Sequence, residues 1–259
     1  EKAAAIAEGD LSVRLDEANP KTEVGRLTTS LNQMLSRIED SFAARTKSES
    51  RLRRFVADAS HELRTPLTAI RGFAELHRQG AVVGEEKTKE LVGRIEKESI
   101  RMGSLVEDLL LLARLDQAPM LNKDPVDLTH LINEVVESAR AAGPNHPISV
   151  VVENDLFVLG DSMRIHQAVA NLLANTRTHT PAGTNVAVNA ESNENEVTIT
   201  VSDDGPGLSK SDQERIFERF FRADPSRKRT SGEGSGLGLA IVDAVMKAHG
   251  GSVTVSSEV

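Results

Sequence analysis

The chain has 259 residues, a formal net charge of −8, 39% hydrophobic and 27% charged residues. That length predicts one to three domains with ample material for a core, and the acidic balance argues against broad nucleic-acid binding, which needs a basic surface. Cysteine, tyrosine and tryptophan are absent, which excludes disulfide frameworks and thiolate metal sites and leaves the helices to pack with Leu, Ile, Val and Ala.

No run of about 18 apolar residues occurs, so nothing reads as a membrane span, and no signal peptide is visible. The chain opens without Met and in mid-pattern, so a fragment of a longer protein is expected. A turn-rich stretch, Gly9 to Lys21, separates two helical patterns. Val24, Leu27, Leu31, Met34 and Ile38 then repeat at spacings of 3, 4, 3 and 4 between polar flanks. That heptad seam predicts a coiled coil or parallel bundle in preference to one helix on a globular core. Residues 41–54 contain neither Pro nor Gly, so the helix is expected to run through Leu52, Phe55, Val56 and Ala59, past Pro66, to about Gln79.

Gly80 and Gly84 mark a turn. A second helix follows, from Glu85 to Asp116, with the stripe Leu91, Ile95, Met102, Leu105, Leu109 and Leu112. Two helices of about 45 Å joined by a short turn form an antiparallel hairpin. One hairpin cannot bury both apolar faces, whereas two can form a four-helix bundle, so a homodimer is expected.

Gln117 to Pro125 holds two prolines and reads as a linker. Beyond it, helical patterns (Leu128 to Ala141, Ser162 to Thr176, Gly236 to Ala248) mix with strand patterns. The strands are Ile148 to Val152, Phe157 to Leu159, Asn185 to Ala190, Val197 to Val201 and Ser252 to Val255, with a hairpin turn at Glu191 to Glu196. This predicts an α+β or α/β sandwich with helices on one sheet face.

Four groups of residues carry candidate chemistry. In the first helix, Ala59 and Leu63 each stand two positions from His61 and so nearly opposite it. When they face a core, His61 faces water, with Thr65 at i+4 on its own face. An exposed imidazole beside Glu62 can act as nucleophile or proton carrier, although alone it is more often a plain surface histidine. Asn171 and Asn175, also at i and i+4, offer oxygens to a hard cation such as Mg²⁺ and donors to phosphate; alone they read better as surface asparagines. Thr178, His179 and Thr180 follow them. Asp203-Asp-Gly205-Pro-Gly207 ends a strand with a carboxylate suited to an amino group and glycines that permit close approach, or is a simple turn. Gly232-Glu-Gly234-Ser-Gly236-Leu237-Gly238 opens a helix whose N–H groups could hold phosphate, yet it is not a P-loop, since no Gly-Lys-Ser/Thr follows. Between the last two groups lie about 25 polar and basic residues, among them Arg219, Arg222, Arg227, Lys228 and Arg229 with Phe217, Phe220 and Phe221. Such a segment reads as a functional lid whose cations suit phosphate.

In this order on these elements, the groups closely resemble the sensor histidine kinases of two-component systems. Ser60-His61-Glu62-Leu63-Arg64-Thr65-Pro66-Leu67 resembles the H box and Asn171 to Asn175 the N box. Asp203-x-Gly205-x-Gly207 resembles the G1 box, Phe217 to Arg222 the F box, and Gly234-x-Gly236-x-Gly238 the G2 box. Gly9-Asp10-Leu11 and Glu23-Val24-Gly25-Arg26-Leu27 resemble the end of a HAMP relay domain.

The resemblance implies a multidomain chain. Residues 1–46 would be the end of HAMP and a signalling helix, 47–117 the dimerisation and phosphotransfer hairpin, 118–125 a linker, and 126–259 an ATP-binding domain of the Bergerat-type α/β sandwich fold. It implies that His61 Nε2 attacks the γ-phosphate of ATP while Glu62 fixes the ring tautomer and helps take the proton. Asn175 would ligate Mg²⁺, and Asn171 would contact the phosphates or the metal. Asp203 would accept from the adenine amino group, with His179, Gly205, Gly207, Gly234, Gly236, Leu237 and Gly238 lining the nucleotide site, and Arg222 would neutralise phosphate charge. The phosphoryl group would pass from His61 to an aspartate of a response regulator. Thr65, in His-Glu-x-x-Thr, implies a reverse, dephosphorylating role.

Pro66 removes a hydrogen bond to the Glu62 carbonyl, so a hinge beside His61 is expected, and relative domain motion across the Gln117 to Pro125 linker is expected to bring His61 to the nucleotide. The sequence departs from the family's pattern at Thr178, where many relatives carry Lys or Arg; Arg177 stands one position earlier. Relatives also continue past the position of Val259 into a further strand. The expected parent is a membrane sensor of which this is the cytoplasmic portion. Two other readings are an ATPase of the same nucleotide fold and a degenerate kinase serving as a dimeric scaffold. The helical hairpin argues against the first and the intact motifs against the second.

Overall fold

In the structure, a computed structural model, residues 13–15, 22–116, 121–193, 195–223 and 235–258 are described. They form two units, Glu1–His61 and Glu62–Val259. Helix α1, Glu23–Arg78, has 56 residues and belongs to both; at 1.5 Å per residue it is about 84 Å long. Among the described residues no helix is long and apolar enough to cross a membrane.

In the first unit, Thr22 Oγ1 caps α1 by accepting from Gly25 N at 3.1 Å. The carboxamide of Asn32 grips the backbone of Leu15 on both sides, accepting from its N–H at 2.9 Å and donating to its carbonyl at 3.0 Å. Leu35 is buried here. The heptad positions behave differently, with Val24 67%, Leu27 69% and Met34 50% exposed, while Leu31 and Ile38 are half-buried. The stretch Gly9 to Lys21 lies almost wholly outside the described residues.

In the second unit, α1 ends at Arg78 and the chain turns through Gly80, φ +70°. Gly80 N donates to His77 O and Ala81 N to Leu76 O, which closes the helix end on a residue free of Cβ. Helix α2 spans Glu85–Asp116, as its periodicity predicts. Toward its C-terminus Leu105, Leu111 and Leu112 are buried, and Leu63 of α1 packs against the same cluster.

The α/β part begins with strand β1, Asp124–Asp127, antiparallel to β3, Phe157–Gly160. Asp124 and Pro125, expected in the linker, therefore pair with Gly160 and Leu159. Proline suits such an outer strand, where the N–H it lacks is not needed. Between them come helix α3, Leu128–Ala142, and strand β2, Ile148–Val152. Helix α4, Ser162–His179, and the hairpin of β4, Val186–Ser192, and β5, Val197–Asp203, follow. β2 is parallel to β4 and β4 antiparallel to β5. The hairpin turn is shorter than expected, because Glu191 and Ser192 still pair with Thr198 and Val197. Alternation decides the core: Ile148, Val150, Val152, Val186, Val188, Ala190, Val197, Ile199 and Val201 face the buried side chains of α3 and α4.

A short helix α5, Lys210–Gln213, and helix α6, Gly238–Ala248, complete the fold. Helix α6 is apolar almost all round. Ile241, Val242 and Val245 are buried in one cluster with Leu105, Leu111 and Leu112 of α2 and Ala168 of α4, so α6 is a core helix packed between two others. It starts at Gly238, two residues after the expected Gly236. Ser252 to Val255, expected as a strand, runs without ladder pairing. Its neighbours hold it by side chains instead: Leu208 N donates to Ser257 Oγ at 2.9 Å, and Gln213 Nε2 to the Ser257 carbonyl at 2.9 Å.

Candidate active site

The two motif-bearing helices of the α/β part meet at Asn171. Its Nδ2 donates to the Gly238 carbonyl at 3.3 Å, and a Cβ on Gly238 would lie 3.7 Å from the Asn171 carboxamide carbon. Among the described residues Asn171 Oδ1 accepts no hydrogen bond, which leaves it for a cation or donor. Asn175, one turn on and half-buried, makes no side-chain hydrogen bond among the described residues. The C-terminal end of α4 then carries exposed His179 and is closed by Thr180, whose N–H and hydroxyl both donate to Thr176 O, at 3.0 and 2.7 Å.

The paired aspartates after β5 divide their work. Asp204 takes both donors of Asn185, from N to Oδ1 and from Nδ2 to Oδ2, each at 2.7 Å. These bonds hold its carboxyl below the usual carboxylate range. Asp203 is exposed and gives one oxygen to Gly205 N at 3.0 Å. A Cβ on Gly205 would stand 2.6 Å from that oxygen and 2.7 Å from Thr180 Cγ2, so glycine is required there by space. Asp204 is thus a turn clamp, and Asp203 is the carboxylate presented beside Thr180. Gly207, φ +74°, makes the following turn.

The F-box and G2-box segments are stapled together. Phe220 N donates to Gly236 O at 2.9 Å. Gly236, φ +71°, leaves only 3.0 Å between a would-be Cβ and the Phe220 backbone. Phe220 itself stands at φ +60°, a conformation that costs a non-glycine residue about 1–3 kcal/mol and points to a functional turn. Arg222 is half-buried next to it, Leu237 is fully buried, and the Arg215 guanidinium lies 4.8 Å from the Phe221 ring centre. Helix α6 starts without a side-chain cap, which leaves its first N–H groups for a ligand. Gly232 and Gly234, with Arg227, Lys228 and Arg229, lie outside the described residues.

Both ends of this loop touch α2, a contact the sequence does not announce. Arg219 Nη2 meets Asp116 at 2.7 Å to Oδ1 and 2.8 Å to Oδ2. Asp108 faces the Ser235 hydroxyl. Burial, with Glu107 beside it, pushes the Asp108 carboxyl up to about 6, against the lowering effect of Ser235. Asp108, Leu112 and Asp116 stand at i, i+4 and i+8, so one face of α2 carries both polar contacts and the apolar one.

On α1, His61 is exposed, Glu62 and Thr65 are half-buried, and Pro66 is buried within an unbroken helix. Arg177 does not stand in for the missing basic residue at Thr178. It turns away from the Asn171 and Asn175 face, laying its stem over Gly143, where a Cβ would come within 2.6 Å of Arg177 Cδ.

Three family models match the chain in order: the HAMP domain over residues 1–40, the His Kinase A (phospho-acceptor) domain over 51–118, and the histidine kinase-, DNA gyrase B- and HSP90-like ATPase over 160–259. The probable sensor histidine kinase TcrY of Mycobacterium tuberculosis is 48% identical over 95% of this chain and 52% of its own length. The chain spans about half the length of the curated relatives it matches. The solved histidine kinase AdeS of Acinetobacter baumannii is 26% identical with a TM-score of 0.57, over 73% of this chain and 86% of that one. Histidine kinase ThkA, solved in complex with the response regulator protein TrrA, shares the fold at 23% identity and a TM-score of 0.62, over 82% of this chain and 60% of that one. The succession of these domains, together with the likeness to TcrY, shows that the chain belongs to the sensor histidine kinases of two-component systems.

Proposed function

We propose that this chain binds ATP with Mg²⁺, phosphorylates itself on His61 and passes the phosphoryl group to an aspartate of a response regulator. The observation that carries the reading is the open Asn175 carboxamide one turn from Asn171, set beside the uncapped start of α6 in a chain whose α1 exposes His61. In the reaction, His61 Nε2 forms a bond to the γ-phosphorus and the bond to the β,γ-bridging oxygen breaks, releasing ADP. Glu62 draws the Nδ1 proton and holds the tautomer. Asp203 accepts from the adenine amino group beside Thr180, and Arg222 and the N–H groups before α6 meet the phosphates. Mg²⁺, held by the oxygens of Asn175 and Asn171, would neutralise charge on the phosphates; two side-by-side carboxamide oxygens fit a hard cation.

The exposed heptad seam supports a homodimer, and Thr65 supports a second activity that dephosphorylates the regulator. We place the phosphotransfer hairpin at 47–117 and start the ATP-binding domain at β1, Asp124. The HAMP match and the likeness to sensor histidine kinases support a cytoplasmic kinase portion of a membrane protein.

The test is incubation with γ-labelled ATP and Mg²⁺. The expected outcome is an acid-labile, base-stable label that disappears in His61→Gln and moves to an added response regulator. Label retained by His61→Gln would overturn the reading. Phosphate release without label would favour an ATPase, and nucleotide binding without either a scaffold.

A further inference from the structure

A cavity lies between α3 and α4, on the side of α4 away from Asn171 and Asn175. Its volume is about 180 Å³. Leu173 and Val186 contribute an apolar floor, and three nitrogen-bearing side chains, His146, His166 and Arg177, line it with no Asp or Glu among the lining residues. His166 and Arg177 are eleven positions apart on α4, three turns, and so share a face. His146 Nε2 is buried and has no hydrogen-bond partner among the described residues. Arg177 has no ion-pair partner there either, although the chain as a whole is acidic. Its path over Gly143 leaves no room for a Cβ, which would meet Arg177 Cδ at 2.6 Å and Cγ at 3.2 Å. A buried imidazole nitrogen is costly unless something satisfies it, and the exposed Arg177 guanidinium at the mouth stands ready for an anion.

We propose that this cavity is a binding site for a small monocarboxylate with a ring-sized apolar body. The size argument is direct: a cavity of about 150 Å³ holds benzene, and this one is slightly larger. The carboxylate would take the fork of Arg177 at the mouth, the geometry for which guanidinium is suited. His146 Nε2 would meet the second oxygen or a substituent deeper in. The face used is separate from the nucleotide face of the same helix, so the site is additional to the ATP pocket.

The probe is benzoate, titrated by calorimetry into the whole chain, with benzamide as its neutral counterpart. Saturable benzoate binding in the millimolar range or tighter is expected, with shifts of the His146 and His166 ring resonances in a parallel NMR titration. Arg177→Gln is expected to weaken binding by about tenfold or more, and Ala139→Leu, which fills the cavity, to abolish it. Benzamide is expected to bind at least about tenfold more weakly than benzoate. Unchanged ATP affinity and thermal unfolding in Arg177→Gln certify that the variant is folded. Absence of saturable benzoate binding, equal affinity for benzamide, or full binding retained in folded Arg177→Gln would each overturn the proposal.

Discussion

The apolar stripe of α1 and the apolar core around α6 are built from the same residue types yet end in opposite environments. Leu27 is 69% exposed, whereas Ile132 and Ile241 are fully buried. In the α/β part every inward position of β2, β4 and β5 finds a helix residue within the same chain. In the N-terminal half of α1 the heptad positions Val24, Leu27 and Met34 stay exposed among the described residues, while Leu31 and Ile38 are half-buried. An exposed periodic stripe of this kind suits an interface, so we take the difference between the two regions as one between a core closed within the described residues and a seam proposed to meet a second copy.

The comparison can be broken most strongly at the closed side. Ile132→Ala is expected to cost about 2–5 kcal/mol, as buried large-to-small changes do, read from denaturant unfolding; Leu27→Ala should leave that transition unmoved. A loss at Leu27 equal to that at Ile132 would erase the distinction. Gly236→Ala is expected to cost about 1–3 kcal/mol, because alanine is strained at positive φ and meets the Phe220 backbone. It should also weaken nucleotide binding, measured with a fluorescent ATP analogue, while Gly250→Ala, in open space, keeps nucleotide affinity.

A smaller effect tests how α2 meets the catalytic part. The Asp108 carboxyl is raised to about 6 from its ordinary 3.8, so the packed state holds its proton more tightly than the unpacked one. Its stabilising contribution is fully present below the ordinary value and is lost as pH rises through about 6. The melting temperature of wild type relative to Asp108→Asn should therefore be lowest near neutral pH and rise on acidification toward pH 5. A pH-independent difference would remove Asp108 from the contact. Asp116→Asn breaks a partly exposed pair and should cost at most about 1 kcal/mol, while loosening the Arg219 end of the loop, visible as faster hydrogen exchange around Phe220.

Much of this was legible in the sequence because local patterns carried it. The ends of α2 and of β2 fall where punctuation and alternation put them, and the N-box spacing by itself places Asn171 and Asn175 on one helix face. Other features depend on partners far along the chain. Asp116 meets Arg219 across 103 positions, which no periodicity can reveal. β1 was hidden by Pro125, a residue that breaks central strands but suits this edge. Ser252 to Val255 alternates like a strand but pairs with no strand among the described residues. Asp203 and Asp204 look equivalent in sequence, and only the Asn185 clamp assigns Asp204 to the turn. One signal was available: Asn185 stands directly before β4, the strand paired with β5, so an Asn-to-Asp clasp just beyond that register was a foreseeable use for one of the two carboxylates.

The central claim is that one chain closes the catalytic core but leaves the helical seam for a second copy. Light scattering on the purified chain over a concentration series tests it most directly. Wild type is predicted to show twice the chain mass, and a variant with Leu27→Asp and Met34→Asp to shift to the single-chain mass with its core melting transition intact. Wild type at the single-chain mass under conditions where His61 becomes phosphorylated would contradict it.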